Sequence, residues 1–188
     1  MKNEILLIIS YLIGSIPFGV VFTKFAGIKN IQEHGSGNIG ATNVARVAGK
    51  KLGALTLIAD GLKGAIAVYL AKICGDDITV LAVIAVILGH VFPIWLKFKG
   101  GKGVITSMLA ISICDYRMSL FLFLCWIFTF KITRISSLAA ILSFLLLPVF
   151  TYFISYSYFH LSLIVSVIVL LKHSGNVRRL IRGEEKRI

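Results

Sequence analysis

The chain has 188 residues, is 57% hydrophobic and carries a formal net charge of +12, with a mean hydropathy of +0.92. These values exclude a soluble globular protein and are expected of one membrane-embedded domain over residues 1–188. The basic residues sit in short connections between oily stretches, which excludes a nucleic-acid-binding face. They report either orientation in the bilayer or binding of an anionic substrate or lipid headgroup.

Seven apolar stretches follow in chain order: Ile5 to Thr23, Leu52 to Ile73, Ile78 to Leu96, Val104 to Cys114, Met118 to Phe130, Ile135 to Tyr152 and Tyr158 to Leu171. A spanning helix needs about 20 residues. The first, second, third and sixth stretches satisfy that, whereas the others need flanking residues or a bent, partial insertion. The first contains Gly14, Pro17 and Gly19 and has no clear small-residue cleavage site, so it is expected to remain as a span.

Asp115-Tyr116-Arg117 interrupts the oil between the fourth and fifth stretches. One span with a charged pair at its centre and two short helices turning at Asp115 are the alternatives. Two helices give seven spans, with Lys24 to Lys51, Lys97 to Lys102, Lys131 to Arg134 and the tail all on one side. The opposite side keeps Lys2, Lys72 and Arg117 against Glu4, Asp76, Asp77 and Asp115. The Lys/Arg bias then predicts an all-α integral membrane protein of about seven transmembrane helices, N-terminus outside and C-terminus cytoplasmic.

Three polar islands then share the cytoplasmic face. In the first, Gly35, Gly37 and Gly40 let backbone N–H groups converge on one point, and a following helix start adds its positive end. Ser36, Asn38, Thr42 and Asn43 supply neutral donors, and Arg46 a bidentate one for phosphate. A flexible loop leading into the second span is the other reading. The pattern is not a Walker A loop.

The second island sets Gly100, Gly101 and Gly103 around Lys102, a bare backbone that an oxyanion can approach closely. Upstream, His90 is either a ligand-binding donor or a hydrogen-bonded structural histidine. In the third, His173 and Asn176 share one face if the last helix continues through them. A solvated basic tail near anionic lipids is the alternative there.

Asp60 and Lys63 lie inside the second stretch, where ionisable groups are costly. Their spacing favours a mutual ion pair. The sequence has no G-x-S-x-G elbow and no metal-binding cluster, and Cys74, Cys114 and Cys125 form no C-x-x-C pair, so no metal or cofactor is expected. Chemistry needing a strong protein nucleophile is disfavoured, whereas binding and orienting phosphates suits these residues.

Gly35-Ser36-Gly37-Asn38-Ile39-Gly40-Ala41-Thr42-Asn43, then Gly89-His90-Val91-Phe92-Pro93 with Lys97-Phe98-Lys99-Gly100-Gly101-Lys102-Gly103-Val104, then His173, Asn176, Arg179-Leu180 and Gly183 resemble the bacterial acyl-phosphate:glycerol-3-phosphate acyltransferases, the PlsY family. The resemblance implies transfer of a fatty acyl group from acyl phosphate to the 1-hydroxyl of sn-glycerol 3-phosphate. Lysophosphatidate and inorganic phosphate would be the products, in phospholipid biosynthesis at the bacterial cytoplasmic (inner) membrane.

It further implies that Ser36 and Arg46 are required and that the glycines of the second block bind glycerol phosphate. Lys102 would contact phosphate, His173 and Asn176 would belong to the active centre, and Glu185 would be more structural. Glu184 departs from the small hydroxyl residue common before that glutamate. A monomer facing the cytoplasm is expected, with acyl phosphate, sn-glycerol 3-phosphate and the bilayer as partners. Two rivals are a small transporter of a phosphorylated anion, for which no inverted repeat is visible, and an acyltransferase drawing on acyl-CoA.

Overall fold

The computed structural model describes residues 2–75 and 78–187; Met1, Asp76, Asp77 and Ile188 lie outside the described residues, and with them the proposed outward placement of the two aspartates. Among the described residues the chain is all-α with no strand. It divides into two compact units, residues 1–113 and 114–188.

The first unit holds α1 (Lys2–Ser15), α2 (Phe18–Phe25), α3 (Ala41–Ala48), α4 (Lys50–Cys74), α5 (Thr79–Val91) and α6 (Val104–Ser112). Pro17 separates α1 from α2, since its ring leaves no N–H to continue the helical ladder. Helix α1 packs on α5 and α4, and α4 also packs on α3 and α6. Apolar side chains gain little by leaving lipid for one another, so close backbone approach through small residues holds such helices together. A Cβ at Gly14 would overlap the Val86 carbonyl, and one at Gly89 would overlap that of Tyr11. The two glycines thus make the α1–α5 crossing reciprocal. Gly64 plays the same part against Thr106 between α4 and α6.

The second unit holds α7 (Tyr116–Thr133), α8 (Ser136–Ile154), α9 (Phe159–Lys172) and α10 (Ser174–Ile181), with α8 packed between α7 and α9. Its first residues resolve the Asp115 alternative in favour of two helices. Asp115 caps α7 by accepting the Arg117 N–H at 2.9 Å, and its carboxylate takes the Arg117 guanidinium at 2.8 Å. Ser155 donates to the same carboxylate. The Arg117 hydrogen bonds outweigh burial and hold the Asp115 carboxyl down at about 2.

Each apolar stretch is helical. Among the described residues, five helical segments are long and apolar enough to cross a membrane: Lys2–Phe25, Lys50–Cys74, Thr79–Leu96, Tyr116–Thr133 and Ser136–Ile154. Tyr156–Lys172 and Ser174–Ile181, bent by 59° at their break, pass the same test only as a pair and make a sixth when taken as one span. Helix α6 has 9 residues, well under the length of a span.

Candidate active site

The first unit brings the first two islands together. Ile31, Ile39 and Val44 form a buried plug beneath the first island, and Leu96, just before the second, packs against it. Gln32 donates its side-chain amide to the Lys99 carbonyl at 3.1 Å. A Cβ at Gly19 of α2 would overlap the Ile39 carbonyl, so α2 also lies directly against the loop.

Asn43 organises the first island. It is 2% exposed, and its Oδ1 accepts the Ser36 backbone N–H at 2.8 Å. Its Nδ2 donates to the carbonyls of His34 at 3.0 Å and Asn38 at 2.8 Å. Both polar atoms of this amide are therefore engaged inside the loop. Asn38 Oδ1 accepts the Gly40 N–H at 2.7 Å, which closes the turn just before α3. Two glycines here are compulsory. Gly35 has φ +64° and Gly37 has φ +72°, and a Cβ at Gly35 would overlap Asn43 Oδ1.

Ser36, Thr42 and Arg46 are exposed. Thr42 and Arg46 stand four apart on α3, hence on one helical face. Of the two asparagines that the sequence placed among the donors to a ligand, Asn43 spends its Nδ2 on the His34 and Asn38 carbonyls, and Asn38 uses its Oδ1 to accept the Gly40 N–H.

The second island folds back on the end of α5. Gly101 N–H donates to the His90 carbonyl at 3.1 Å and Gly100 N–H to that of Val91 at 3.2 Å. A Cβ at Gly101 would overlap His90 Nε2, and one at Gly100 would overlap the His90 carbonyl and Pro93. Gly103, at φ +82°, precedes α6, and Lys102 beside it is half-buried. Lys97 (φ 51°) and Phe98 (φ 63°) are consecutive non-glycine residues in the left-handed region, a conformation that costs about 1 kcal/mol or more per residue and concentrates at functional sites. Nothing in the sequence marked that pair.

Beneath the second island lies the buried charge of α4. Asp60 Oδ1 is 2.8 Å from Lys63 Nζ, the ion pair that the three-residue spacing anticipates. Lys63 also donates to the Ile16 carbonyl at 2.6 Å, and Thr106 donates to the Asp60 carbonyl at 2.9 Å. His90, 3% exposed, turns Nδ1 toward Asp60 Oδ1 at 3.7 Å. His90 is thus a buried ring whose Nδ1 faces a carboxylate.

In the second unit the third island has its own network. His173 is the hinge between α9 and α10 and is 2% exposed. Its Nδ1 lies 2.8 Å from the Val169 carbonyl; a carbonyl only accepts, so Nδ1 carries the proton and Nε2 is the basic nitrogen. Asn176 is buried three residues on and donates to Glu185 Oε1 at 2.6 Å. Ser137 donates to that same oxygen at 2.6 Å, and Arg179 Nε to Oε2 at 2.6 Å. Burial alone would raise the Glu185 carboxyl, but the hydrogen bonds from Ser137, Asn176 and Arg179 prevail and hold it below the usual range. Among the described residues no cluster of His, Cys, Asp or Glu could hold a metal.

The model of the glycerol-3-phosphate acyltransferase family matches residues 4–183. A glycerol-3-phosphate acyltransferase of Bartonella quintana is 45% identical over 190 residues, covering 96% of this chain and 89% of its own. The one of Wolbachia pipientis is 43% identical over 191 residues, covering 100% and 99%. A crystal structure of PlsY, an integral membrane glycerol 3-phosphate acyltransferase, in its glycerol 3-phosphate form, superposes with a TM-score of 0.94 at 36% identity, over 100% of this chain and 96% of that one. The fold is therefore that of an integral membrane acyltransferase. The chain belongs to the glycerol-3-phosphate acyltransferase family and is of the PlsY type.

Proposed function

We propose that this enzyme takes its acyl group from acyl phosphate and delivers it to the 1-hydroxyl of sn-glycerol 3-phosphate, releasing lysophosphatidate and inorganic phosphate. The observation that carries the reading is the likeness to PlsY in two states, the glycerol 3-phosphate form and the lysophosphatidic acid form, at TM-scores of 0.94 and 0.91. An acceptor and an acylated lipid product in one fold are what such a transfer requires. The bacterial inner membrane, seven spans, a cytoplasm-facing site and a monomer belong to the same proposal.

The chemistry suits the residues. The hydroxyl oxygen attacks the acyl carbonyl carbon, the bond from that carbon to the phosphate oxygen breaks, and phosphate leaves with the electron pair. An activated mixed anhydride needs no protein nucleophile, so the protein's work is to neutralise two phosphates and align the reacting atoms. Arg46 supplies a planar, permanently charged fork, Ser36 and Thr42 add hydroxyls, and Lys102 adds a point charge. Gly100, Gly101 and Gly103 let the loop that carries Lys102 lie close against glycerol phosphate, while the Gly100 and Gly101 N–H groups stay bonded to the Val91 and His90 carbonyls. Asn176 takes part in the active centre beside His173. The hydroxyl proton passes to the departing phosphate or to His173 Nε2.

The test is donor-dependent turnover. Membranes containing the chain are expected to form lysophosphatidate from acyl phosphate and glycerol 3-phosphate, and not from acyl-CoA. Equal rates with acyl-CoA would overturn the donor assignment.

A further inference from the structure

We propose that Asp60 is a positioning residue of the acyl-transfer reaction: paired with Lys63, it fixes the His90 ring against which the Gly100–Gly101 backbone is laid. The inference rests on the reading above in one respect, that the second glycine island binds glycerol 3-phosphate.

Four pieces of chain meet at this pair. Through Lys63 it holds the Ile16 carbonyl at the α1–α2 break, 2.6 Å away. Through its own backbone carbonyl, Asp60 receives Thr106 of α6 at 2.9 Å. Its carboxylate faces His90 Nδ1 of α5 at 3.7 Å. His90 in turn receives the Gly101 N–H on its carbonyl at 3.1 Å. Its Nε2 stands so near Gly101 that no Cβ fits between them. The glycine loop therefore rests on both the backbone and the ring of a single residue, and the ring's other nitrogen faces a buried carboxylate. At 3.7 Å this is an electrostatic contact and not a hydrogen bond, and a carboxylate there favours the tautomer with the proton on Nδ1.

Stability alone is a weak reason for this arrangement. Asp60 and Lys63 are 2% and 4% exposed, and a buried ion pair can often be replaced by apolar side chains without loss of stability. Removing one partner, by contrast, strands an uncompensated charge. What the pair provides, and oil would not, is a buried negative charge facing His90 Nδ1 at 3.7 Å. A displaced loop misplaces the phosphate that it grips, and about 1 Å of misplacement is enough to cost large factors in turnover.

The experiment compares the double variant Asp60→Asn/Lys63→Met, which strands no charge, with His90→Phe, which keeps a ring under Gly101 but offers Asp60 no nitrogen. Steady-state kinetics are measured against glycerol 3-phosphate, using whichever acyl donor the wild type turns over, with thermal unfolding in detergent alongside. The double variant is expected to unfold near the wild-type temperature while its KM for glycerol 3-phosphate rises about tenfold or more and its KM for the acyl donor stays within about twofold. His90→Phe is expected to show the same split. Combining the two changes should add little, because both act on one contact. His90→Asn, which restores a polar group toward Asp60, should recover part of the loss.

A wild-type KM in the folded double variant overturns the proposal, and so do fully additive effects of the two changes. If the double variant does not fold, His90→Phe decides alone: an unchanged KM for glycerol 3-phosphate sinks the idea. Failure of the donor assignment is seen separately, as a wild type that uses acyl-CoA.

Discussion

Asn43 Oδ1 accepts the backbone N–H of Ser36 at 2.8 Å, across seven positions of chain. With two further bonds from its Nδ2 to the His34 and Asn38 carbonyls, a single buried amide sets the path of the loop that exposes Ser36. Asn43→Asp keeps the acceptor for Ser36 but turns a carboxylate toward two carbonyl oxygens. Repulsion in place of two hydrogen bonds should open the loop. The expected result is a fall in kcat/KM of about tenfold or more with the protein still present in membranes, measured by lysophosphatidate formation and immunoblot.

Arg46 is exposed on α3, so its loss would remove the proposed phosphate ligand without opening a cavity in the core. Arg46→Ala is expected to abolish turnover while expression is unchanged. Arg46→Lys should restore only a minor part, since an ammonium keeps charge but not the planar fork. Initial rates in membranes distinguish these outcomes, and near-normal turnover of the alanine variant would sink the proposed phosphate site.

Glycine requirements should differ sharply along the chain. Gly101→Ala drives a methyl into the His90 ring, whereas a Cβ at Gly175 has Arg179 Nη1 as its nearest neighbour at 3.7 Å. Gly101→Ala should raise the KM for glycerol 3-phosphate. Gly175→Ala, inside α10, should fold at least as well as the wild type, because alanine loses less conformational freedom than glycine in a helix. Kinetics for the first and thermal unfolding for the second check the contrast.

Glu185 joins Ser137, Asn176 and Arg179. Its carboxyl lies below the usual range in the folded protein, so the folded state favours the charged form. The stabilisation is then full above the unfolded-state value of about 4.3 and fades as pH falls through the lower folded value. Glu185→Gln should lower the unfolding temperature at neutral pH, and the gap to wild type should narrow as the solution is made more acidic than about pH 4. Detergent unfolding curves over an acidic series measure it. A gap that stays constant with pH would argue against the charged network.

Orientation is testable by labelling. A cysteine at Lys186, in a chain whose three native cysteines are replaced, should react with an impermeant thiol reagent only when the cytoplasmic face is accessible. Labelling from the outer face would reverse the proposed orientation.

Much of the molecule is legible in the order of its residues. Hydropathy locates the seven helical stretches because a helix satisfies its own backbone, which lipid cannot do. The Asp60–Lys63 pair is likewise local, set by helical spacing and realised at 2.8 Å. The glycine islands stand out because backbone that must turn with φ above zero favours glycine, and Gly35, Gly37 and Gly103 all do so.

Other features lie between residues distant in sequence or in conformations that no residue type announces. Asn43 reads as one more polar donor until its three partners are seen. The left-handed pair Lys97–Phe98 carries no glycine to betray it. Ser137 meets Glu185 across 48 positions, and His90 meets Asp60 only because α4 and α5 pack together. Periodicity and spacing constrain what one helix or one loop can do. Which buried polar atom finds which partner depends on how helices cross, and there a glycine such as Gly14 or Gly89 sets the distance that the contact requires.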